Sequence, residues 1–390
     1  MANMESKQPK FSIIIAARPT EFPGASLKSL TRLDFDPRLL EVIICQGSSP
    51  SRQRNEAAKS ARGQILYFLD NDSELSRESL TRVVAAFGGQ DLGGPAPMRT
   101  FSVLPPLICE QVEKVFFSSR RPREKIAVVG GPSIWNRRES FWASIGGIIL
   151  ESFFAYYVMS SRFRPTGRFR FTDERELILC NLAVRRKVFS ESGGFREELY
   201  PNEENEFLSR LSRKGYGLIY HPGIYVNRPR RESLSTIMEM FFNYGRGRME
   251  NLRVTGFRTG KLFLLPLGLL LYFVLLFFYH AALVLMPIFV YFAAAFASAA
   301  GFSKRRRKLY LALFLPLLFL VAHLSYALGL VRGTSTSLAK RRSGRLANNI
   351  KITLVKGFGE NWPMSGFYSQ QSNAQKRFAY PGNPQPTIAQ

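Results

Sequence analysis

The sequence predicts an α/β domain built on a parallel sheet, followed by membrane-spanning helices. Three observations predict this. Strand, helix, strand, helix and strand patterns succeed one another within the first 70 residues. No charged residue occurs between Lys261 and Lys304. The third strand pattern ends on Asp70-Asn71-Asp72, and the carboxyl ends of parallel strands are where open α/β sheets bind ligands.

Phe11-Ser12-Ile13-Ile14-Ile15-Ala16 is a short β-branched apolar run, read as a buried strand ending at Ala17-Arg18-Pro19. A helical stretch over 26–33 follows. Glu41-Val42-Ile43-Ile44-Cys45 is the second strand, stopped by Gln46-Gly47-Ser48-Ser49-Pro50. Helix over 54–61 and strand over 64–69 complete the alternation. An amphipathic helix is expected over 76–87, a Gly- and Pro-rich loop over 88–100, and a helix over 106–117. Ala127-Val128-Val129 is a strand that turns at Gly130-Gly131-Pro132. The apolar stretch 141–159 carries Glu151 at its middle, so we read one amphipathic helix, on the domain or on a membrane, rather than a span. Helices are expected from Val184 and over 204–215, with a short strand at 218–220. His221-Pro222 closes a turn, and Gly193-Gly194-Phe195 is a turn with its own backbone demands.

The uncharged stretch from 262 measures about twice the roughly 30 Å hydrocarbon thickness at about 1.5 Å per residue. It divides into two spans, about 262–278 and 281–300, joined near Tyr279-His280. A third apolar run covers 309–330. Arg253, Arg258 and Lys261 precede the first span, and Lys304 to Lys308 follow the second. Lys and Arg mark the cytoplasmic side, so the pair is a hairpin with both ends there. Basic residues flank the third run on both sides. It either crosses, leaving the tail outside, or lies at the interface with the tail inside. His323 within it reads as a helix–helix contact. Residues 1–10 are polar and the apolar runs are C-terminal, so no cleaved leader is expected. The division is therefore a polar segment at 1–10, a catalytic domain at 11–250, a membrane region at 251–332, and a basic, mostly irregular tail at 333–390.

Lys and Arg number 54 against 29 Asp and Glu, a net charge of +25 over 390 residues. That excess calls for an anionic partner. The apolar runs and the lack of any basic-aromatic binding motif exclude nucleic acid and leave nucleotide and acidic lipid. Three scattered cysteines, Cys45, Cys109 and Cys180, fit a reducing compartment and form neither a disulfide framework nor a zinc site. At the end of the third strand, Asp70 and Asp72 can share a hard divalent cation, which in turn can hold a diphosphate.

Several short motifs stand in a fixed order: Ile15-Ala16-Ala17-Arg18, residues 41–49, Arg54-Asn55-Glu56-Ala57-Ala58, Asp70-Asn71-Asp72, Gly130-Gly131-Pro132, Cys180-Asn181-Leu182-Ala183-Val184-Arg185-Arg186, Gly193-Gly194-Phe195-Arg196-Glu197-Glu198, Asn202-Glu203-Glu204-Asn205-Glu206 and Tyr244-Gly245-Arg246-Gly247-Arg248. The string resembles family 2 glycosyltransferases of the GT-A fold. Within them it is most similar to membrane-anchored bacterial enzymes of exopolysaccharide assembly, the succinoglycan-type glucosyltransferases. The resemblance runs from about Phe11 to Arg248 and on into the apolar segments. It implies a nucleotide-diphospho-sugar transferase domain, a Rossmann-like mixed sheet with helices on both faces, plus C-terminal transmembrane helices.

The resemblance also implies roles. Ala16 and Arg18 line the nucleotide pocket. Asp72 ligates Mn²⁺ or Mg²⁺, with Asp70 beside the ribose and the metal. The carboxylate at Glu204, or its neighbour Glu203, is the general base that takes the acceptor proton; as first-turn acids they also complement a helix dipole. Arg246 and Arg248 match a basic motif suited to phosphate. In one respect the sequence departs from the family. Where an acid after the second strand usually contacts the nucleobase, this chain has Gln46, which can donate and accept but carries no charge. A UDP-sugar is the default donor. Asp173 and Glu174 either touch a sugar or pair with Arg175 and Arg185; we favour the pairing.

The expected activity is inverting, metal-dependent transfer from a nucleotide-sugar donor to a lipid-linked (polyprenyl diphosphate) saccharide, or to a polysaccharide, with membrane lipids as the further partner. The place is the cytoplasmic face of a bacterial inner membrane, in a multi-pass protein. Two alternatives stand beside it. A processive polysaccharide synthase usually has more spans and a Gln-x-x-Arg-Trp motif, absent around Arg246. A non-catalytic membrane scaffold with the same fold would explain Gln46 but not the retained acids.

Overall fold

The computed structural model describes residues 9–88, 126–135, 140–256, 261–279, 282–338 and 350–355. All but the first residue of the loop expected over 88–100, the helix at 106–117, Cys109, His280 and most of the tail lie outside these residues.

Eleven strands form two sheets in the described residues. In chain order they are β1 (Phe11–Ala17), β2 (Leu40–Gln46), β3 (Ile65–Asp70), β4 (Glu74–Leu75), β5 (Ile126–Gly130), β6 (Ser133–Ile134), β7 (Arg170–Thr172), β8 (Asn181–Arg185), β9 (Gly217–Tyr220), β10 (Val226–Asn227) and β11 (Lys351–Val355). The large sheet has the order β11-β2-β1-β3-β8-β5-β9-β7. β1 pairs parallel with β2 and β3, and β5 with β9, whereas β8 runs antiparallel to both β3 and β5. The sheet is thus mixed, as expected. The carboxyl ends of β1, β3, β5 and β9 gather on one edge, where the small sheet β4-β10-β6 also lies. One expectation is corrected here. The helix read from Val184 begins at Arg186, because residues 181–185 alternate between two buried faces as a strand.

Helices α1 (Gly24–Leu30), α2 (Pro50–Ser60), α3 (Ser79–Phe87), α6 (Arg186–Glu191) and α7 (Glu203–Arg213) flank the sheet. α4 (Phe141–Glu151) and α5 (Phe153–Tyr156) precede α6 in the chain. The central strands are buried almost end to end, as a sheet covered on both faces requires. Alternate residues serve the two faces. Phe11, Ile13, Ile15, Tyr67 and Leu69 pack in one cluster with Leu27 and Leu80; Ile14, Leu66 and Phe68 pack in the other with Phe207 and Leu211.

A third apolar cluster joins the domain to the C-terminal helices. These are α8 (Leu234–Thr255), α9 (Leu265–Phe278), α10 (Ala282–Arg306) and α11 (Tyr310–Thr334). Ile148 of α4, Phe241 of α8, Ala299 of α10 and Phe319 of α11 meet in that cluster. The run expected as one helix over 141–159 is bent by 68°. Ser152 takes an extended ψ of 124°, ends α4 and caps α5 by accepting from the Ala155 N–H. α10, from Val284, and α11 are long and apolar enough to cross a membrane; α9, with 14 residues, is shorter. His323 contacts the Tyr291 hydroxyl at 2.9 Å and the Ala155 carbonyl at 3.1 Å, the helix–helix contact expected.

α8 and α11 run side by side in the same direction. Gly245 faces Tyr326, Gly329 faces Phe242, and a Cβ at either glycine would overlap the opposing backbone. Arg253 then donates to the Gly333 and Thr336 carbonyls at 2.9 and 2.7 Å. At the other end of α11, Phe141 and Tyr310 lie 5.9 Å apart between ring centroids. Beyond α11, β11 returns to the sheet and pairs antiparallel with β2, from Lys351 opposite Gln46 to Val355 opposite Val42.

Candidate active site

The carboxyl edge of the sheet opens into a cavity of about 460 Å³. Asp70 ends β3 beside Ala16 of β1. Its carbonyl accepts from the Ser26 hydroxyl at 2.7 Å, and Asn71 donates to the Glu21 carboxylate at 2.7 Å. These bonds fix the Asp70-Asn71-Asp72 turn against the loop after β1. Asp70, Asp72, Glu203 and Glu204 all line this cavity.

Two arginines hold the first acid. Arg54 of α2 is 5 % exposed. It donates to Asp70 Oδ1 at 2.7 Å and to Glu203 Oε1 at 3.1 Å. Arg228, which follows β10, reaches Asp70 Oδ2 at 3.0 Å and Asp72 Oδ1 at 2.9 Å. Burial alone would raise the Asp70 carboxyl, but Arg228 and Arg54 together hold it below its ordinary value.

Glu203 and Glu204 open α7, and Phe207, Leu208 and Leu211 fix that helix in the core. Burial pushes Glu203 up to about 7, with Arg54 opposing and the Glu204 charge reinforcing the shift. Glu204 lies 3.6 Å from Arg162 and accepts from Asn205 at 3.2 Å. Arg162 is fixed by donating to the Asn205 side chain and to the Arg175 carbonyl at 2.5 and 2.9 Å. The far wall consists of Leu150 of α4 with Ile237, Met240, Tyr244 and Arg246 of α8.

The other expected residues divide. Arg246 lines the cavity and lies 3.6 Å from Glu250. Arg248 is not brought to the cavity; it is buried with its guanidinium 4.1 Å over the Phe263 ring. Arg18 is exposed, is not among the residues lining the cavity, and pairs with Glu21 at 3.4 Å. Gln46 donates to the Pro19 and Glu21 carbonyls at 3.4 and 3.1 Å. Asp173 pairs with Arg175, whereas Arg185 donates to the Ile126 carbonyl at 2.7 Å. Gly193 and Gly194 take φ of 78° and 65° in a turn that Asn55 clasps through the Phe195 backbone. His221 closes its turn by accepting from the Gly223 N–H at 3.0 Å.

Sequence reasoning left Arg54 without a role and did not reach Arg162 or Arg228. Arg54 stood inside one of the quoted motifs. Arg228 opens the basic run Arg228-Pro229-Arg230-Arg231 just after a strand at the carboxyl edge. That placement was the available signal.

The sequence model of the family described as Glycosyl transferase family 2 matches residues 25–145, a span that includes both cavity aspartates. The match covers that part of the chain, which carries β2, β3 and the Asp70-Asn71-Asp72 turn of the mixed sheet. Among solved structures, the chain is similar to the mannosyltransferase PcManGT from Pyrobaculum calidifontis in complex with GDP-Man and Mn²⁺. The identity is 14 % and the TM-score 0.46, over 85 % of this chain and 88 % of that one. It is also similar to S. aureus TarS 1–349 in complex with UDP-GlcNAc, at 17 % identity and a TM-score of 0.34, over 91 % and 98 % of the two chains. No curated protein matches this chain.

Proposed function

We propose that this protein is a family 2 glycosyltransferase that moves a sugar from a nucleotide-sugar donor to a lipid-linked acceptor, with inversion, at the cytoplasmic face of a bacterial membrane. The observation that carries the reading is the cavity. Its two aspartates and two glutamates share one space with a wall built from α4 and α8, the helices that pack on the apolar C-terminal ones. A soluble acceptor would not need that continuity.

The donor set fits a hard divalent cation. Asp72 Oδ1 is buried and receives no aligned hydrogen bond, although Arg228 lies near it. Arg228 stands there as a counter-ion, and a carboxylate oxygen without an aligned donor can also take a metal cation. Among the described residues no group of three ligating side chains stands together, so Asp70 and Asp72 would hold the ion jointly with the diphosphate and water. When bound, the cation would supply Lewis-acid stabilisation of the leaving diphosphate.

Glu204 is the general base of the proposed reaction. Its carboxylate takes the proton of the acceptor hydroxyl as that oxygen bonds to the anomeric carbon. The bond from that carbon to the diphosphate breaks on the opposite side, and the diphosphate leaves with the electron pair. Glu203, tied to Arg54, holds the turn of α7 that presents Glu204. Arg246 faces the cavity as a guanidinium suited to phosphate oxygens. Gln46 spends its donors on the loop after β1, and a UDP-sugar remains the default donor.

The membrane arrangement is part of the proposal. The domain at 11–250 faces the cytoplasm, and α9 and α10 form the crossing hairpin of the membrane region at 251–332. α11 stays on the catalytic side. It lies along α8, which carries the buried Arg248 and Glu250, and such a helix does not enter hydrocarbon. The return of β11 to β2 places that part of the tail at 333–390 beside the catalytic sheet. Arg306, donating to Glu151 at 3.2 Å, brings the basic end of α10 to the same side. Assembly of an exopolysaccharide is the corresponding pathway class.

The test is transfer of labelled sugar from a nucleotide-sugar panel into organic-extractable lipid of membranes containing the protein. Incorporation from one donor, absent with Glu204→Gln, supports the reading. Incorporation into water-soluble product alone would overturn the lipid acceptor.

A further inference from the structure

Arg228 sits where the proposed cation must go. Its main chain is fixed, because its N–H donates to the Ile134 carbonyl at 3.0 Å beside the small sheet. Its side chain is one-third exposed on the cavity wall. One guanidinium spans both acids, with Nη1 3.0 Å from Asp70 Oδ2 and Nε 2.9 Å from Asp72 Oδ1.

The two arginines of this site differ in freedom. Arg54 approaches Asp70 from the core, is almost fully buried, and is also bonded to Glu203. Arg228 approaches from the open side. A hard cation such as Mg²⁺ takes oxygen ligands at about 2.0–2.1 Å, and a guanidinium already on those oxygens excludes it by contact and by charge.

We infer that Arg228 is a resident counter-ion of the Asp70–Asp72 pair, displaced by the divalent cation and then turned onto the diphosphate of the donor. The inference rests on the reading above, that these two aspartates hold the cation. The cation neutralises the aspartates and frees the arginine, and the diphosphate arrives with the anionic oxygens that a guanidinium fork fits. Without that second partner, Arg228 would be left as a partly buried unpaired charge. The exchange keeps both aspartates and the arginine paired throughout.

This makes two effects of opposite sign. Removing Arg228 tightens binding of the cation alone, because its competitor is gone. It weakens binding of diphosphate in the presence of the cation, because a ligand is gone. The mutual assistance between cation and diphosphate therefore shrinks, whichever is added first. A purely structural arginine would not produce this opposition.

The test uses the full chain in detergent, with Mn²⁺ alone followed by electron paramagnetic resonance, then labelled inorganic diphosphate at fixed Mn²⁺. Arg228→Gln should bind Mn²⁺ about tenfold more tightly than the unsubstituted protein and diphosphate about tenfold more weakly. Arg228→Lys keeps a charge without the fork and should shift both in the same directions by less. If Arg228→Gln does not fold, the lysine variant carries the test alone. Mn²⁺ binding that Asp72→Ala abolishes but neither arginine variant tightens would overturn this inference and leave the cation site standing. No Mn²⁺ binding by any of these proteins would overturn both.

Discussion

Arg54→Met removes the guanidinium that ties Asp70 to Glu203 at the start of α7. Arg54 is 5 % exposed and Glu203 1 % exposed, and their atoms approach to 3.1 Å; Asp70 lies 2.7 Å away on the other side. Breaking a buried pair by deleting one partner costs about 3–5 kcal/mol where the other group keeps its charge, so the comparison is made above about pH 7, where Glu203 is ionised in the unsubstituted protein. Asp70 keeps Arg228 at 3.0 Å, so the loss falls mainly on Glu203 and the lower figure, about 3 kcal/mol, applies. At about 2–4 °C per kcal/mol, the apparent midpoint falls by roughly 6–12 °C. The assay is thermal unfolding of the detergent-solubilised protein at one fixed scan rate, since the midpoint of such a protein depends on rate. Glu203→Gln in the same background removes the stranded charge and should restore at least half of the loss, a coupling read from the double-mutant cycle. A midpoint within about 1 °C of the unsubstituted protein for Arg54→Met would refute the reasoning, as would strict additivity with Glu203→Gln.

Three further outcomes are expected. Glu204→Gln lowers kcat by about 10²–10⁴-fold while leaving the thermal midpoint within roughly 2 °C; a full-rate variant would remove Glu204 from the chemistry. Burial raises Glu203 from 4.5 to about 7, so the folded protein keeps a proton that the unfolded chain releases between those values. Stability from this group therefore falls as pH rises from about 4.5 to about 7 and is level above that; Glu203→Gln should flatten the midpoint-versus-pH curve in that window, and an unchanged slope would contradict the assignment. A fluorescent-protein fusion after residue 390 should fluoresce in a bacterial host and an alkaline phosphatase fusion should stay inactive, whereas active phosphatase would place the tail outside and make α11 a span.

Local patterns carried much of this fold. β1, β2 and β3 are short apolar runs bounded by turn residues, and Ala16 and Asp70 stand at or near the carboxyl ends of two of them, which pair in parallel. The acids at Glu203 and Glu204 were singled out by the family resemblance, and the structure puts both in the first turn of α7. What was not legible depends on contacts distant in sequence. Arg54 meets Glu203 across 149 positions and Arg228 meets Asp72 across 156. β11 finds β2 from the far end of the chain. The bend after Glu151 needs the Ser152 cap together with Arg230, which holds the Glu151 carboxylate at 2.6 Å. Arg246 and Arg248 teach a simpler lesson. Two positions on a helix point about 200° apart, so both could not face one cavity; only Arg246 does.

The central claim is that Asp70 and Asp72, with a divalent cation, activate a nucleotide sugar. The most direct measurement is release of free nucleoside diphosphate from a panel of nucleotide sugars by the purified protein. It is run with Mn²⁺, with EDTA, and with Asp72→Ala, and donor binding is read in the same samples. We expect slow release from one donor with Mn²⁺, lost in both controls, or metal-dependent binding of that donor where the acceptor is required for turnover. Release or binding that survives EDTA and Asp72→Ala would contradict the claim, as would neither release nor binding with any donor.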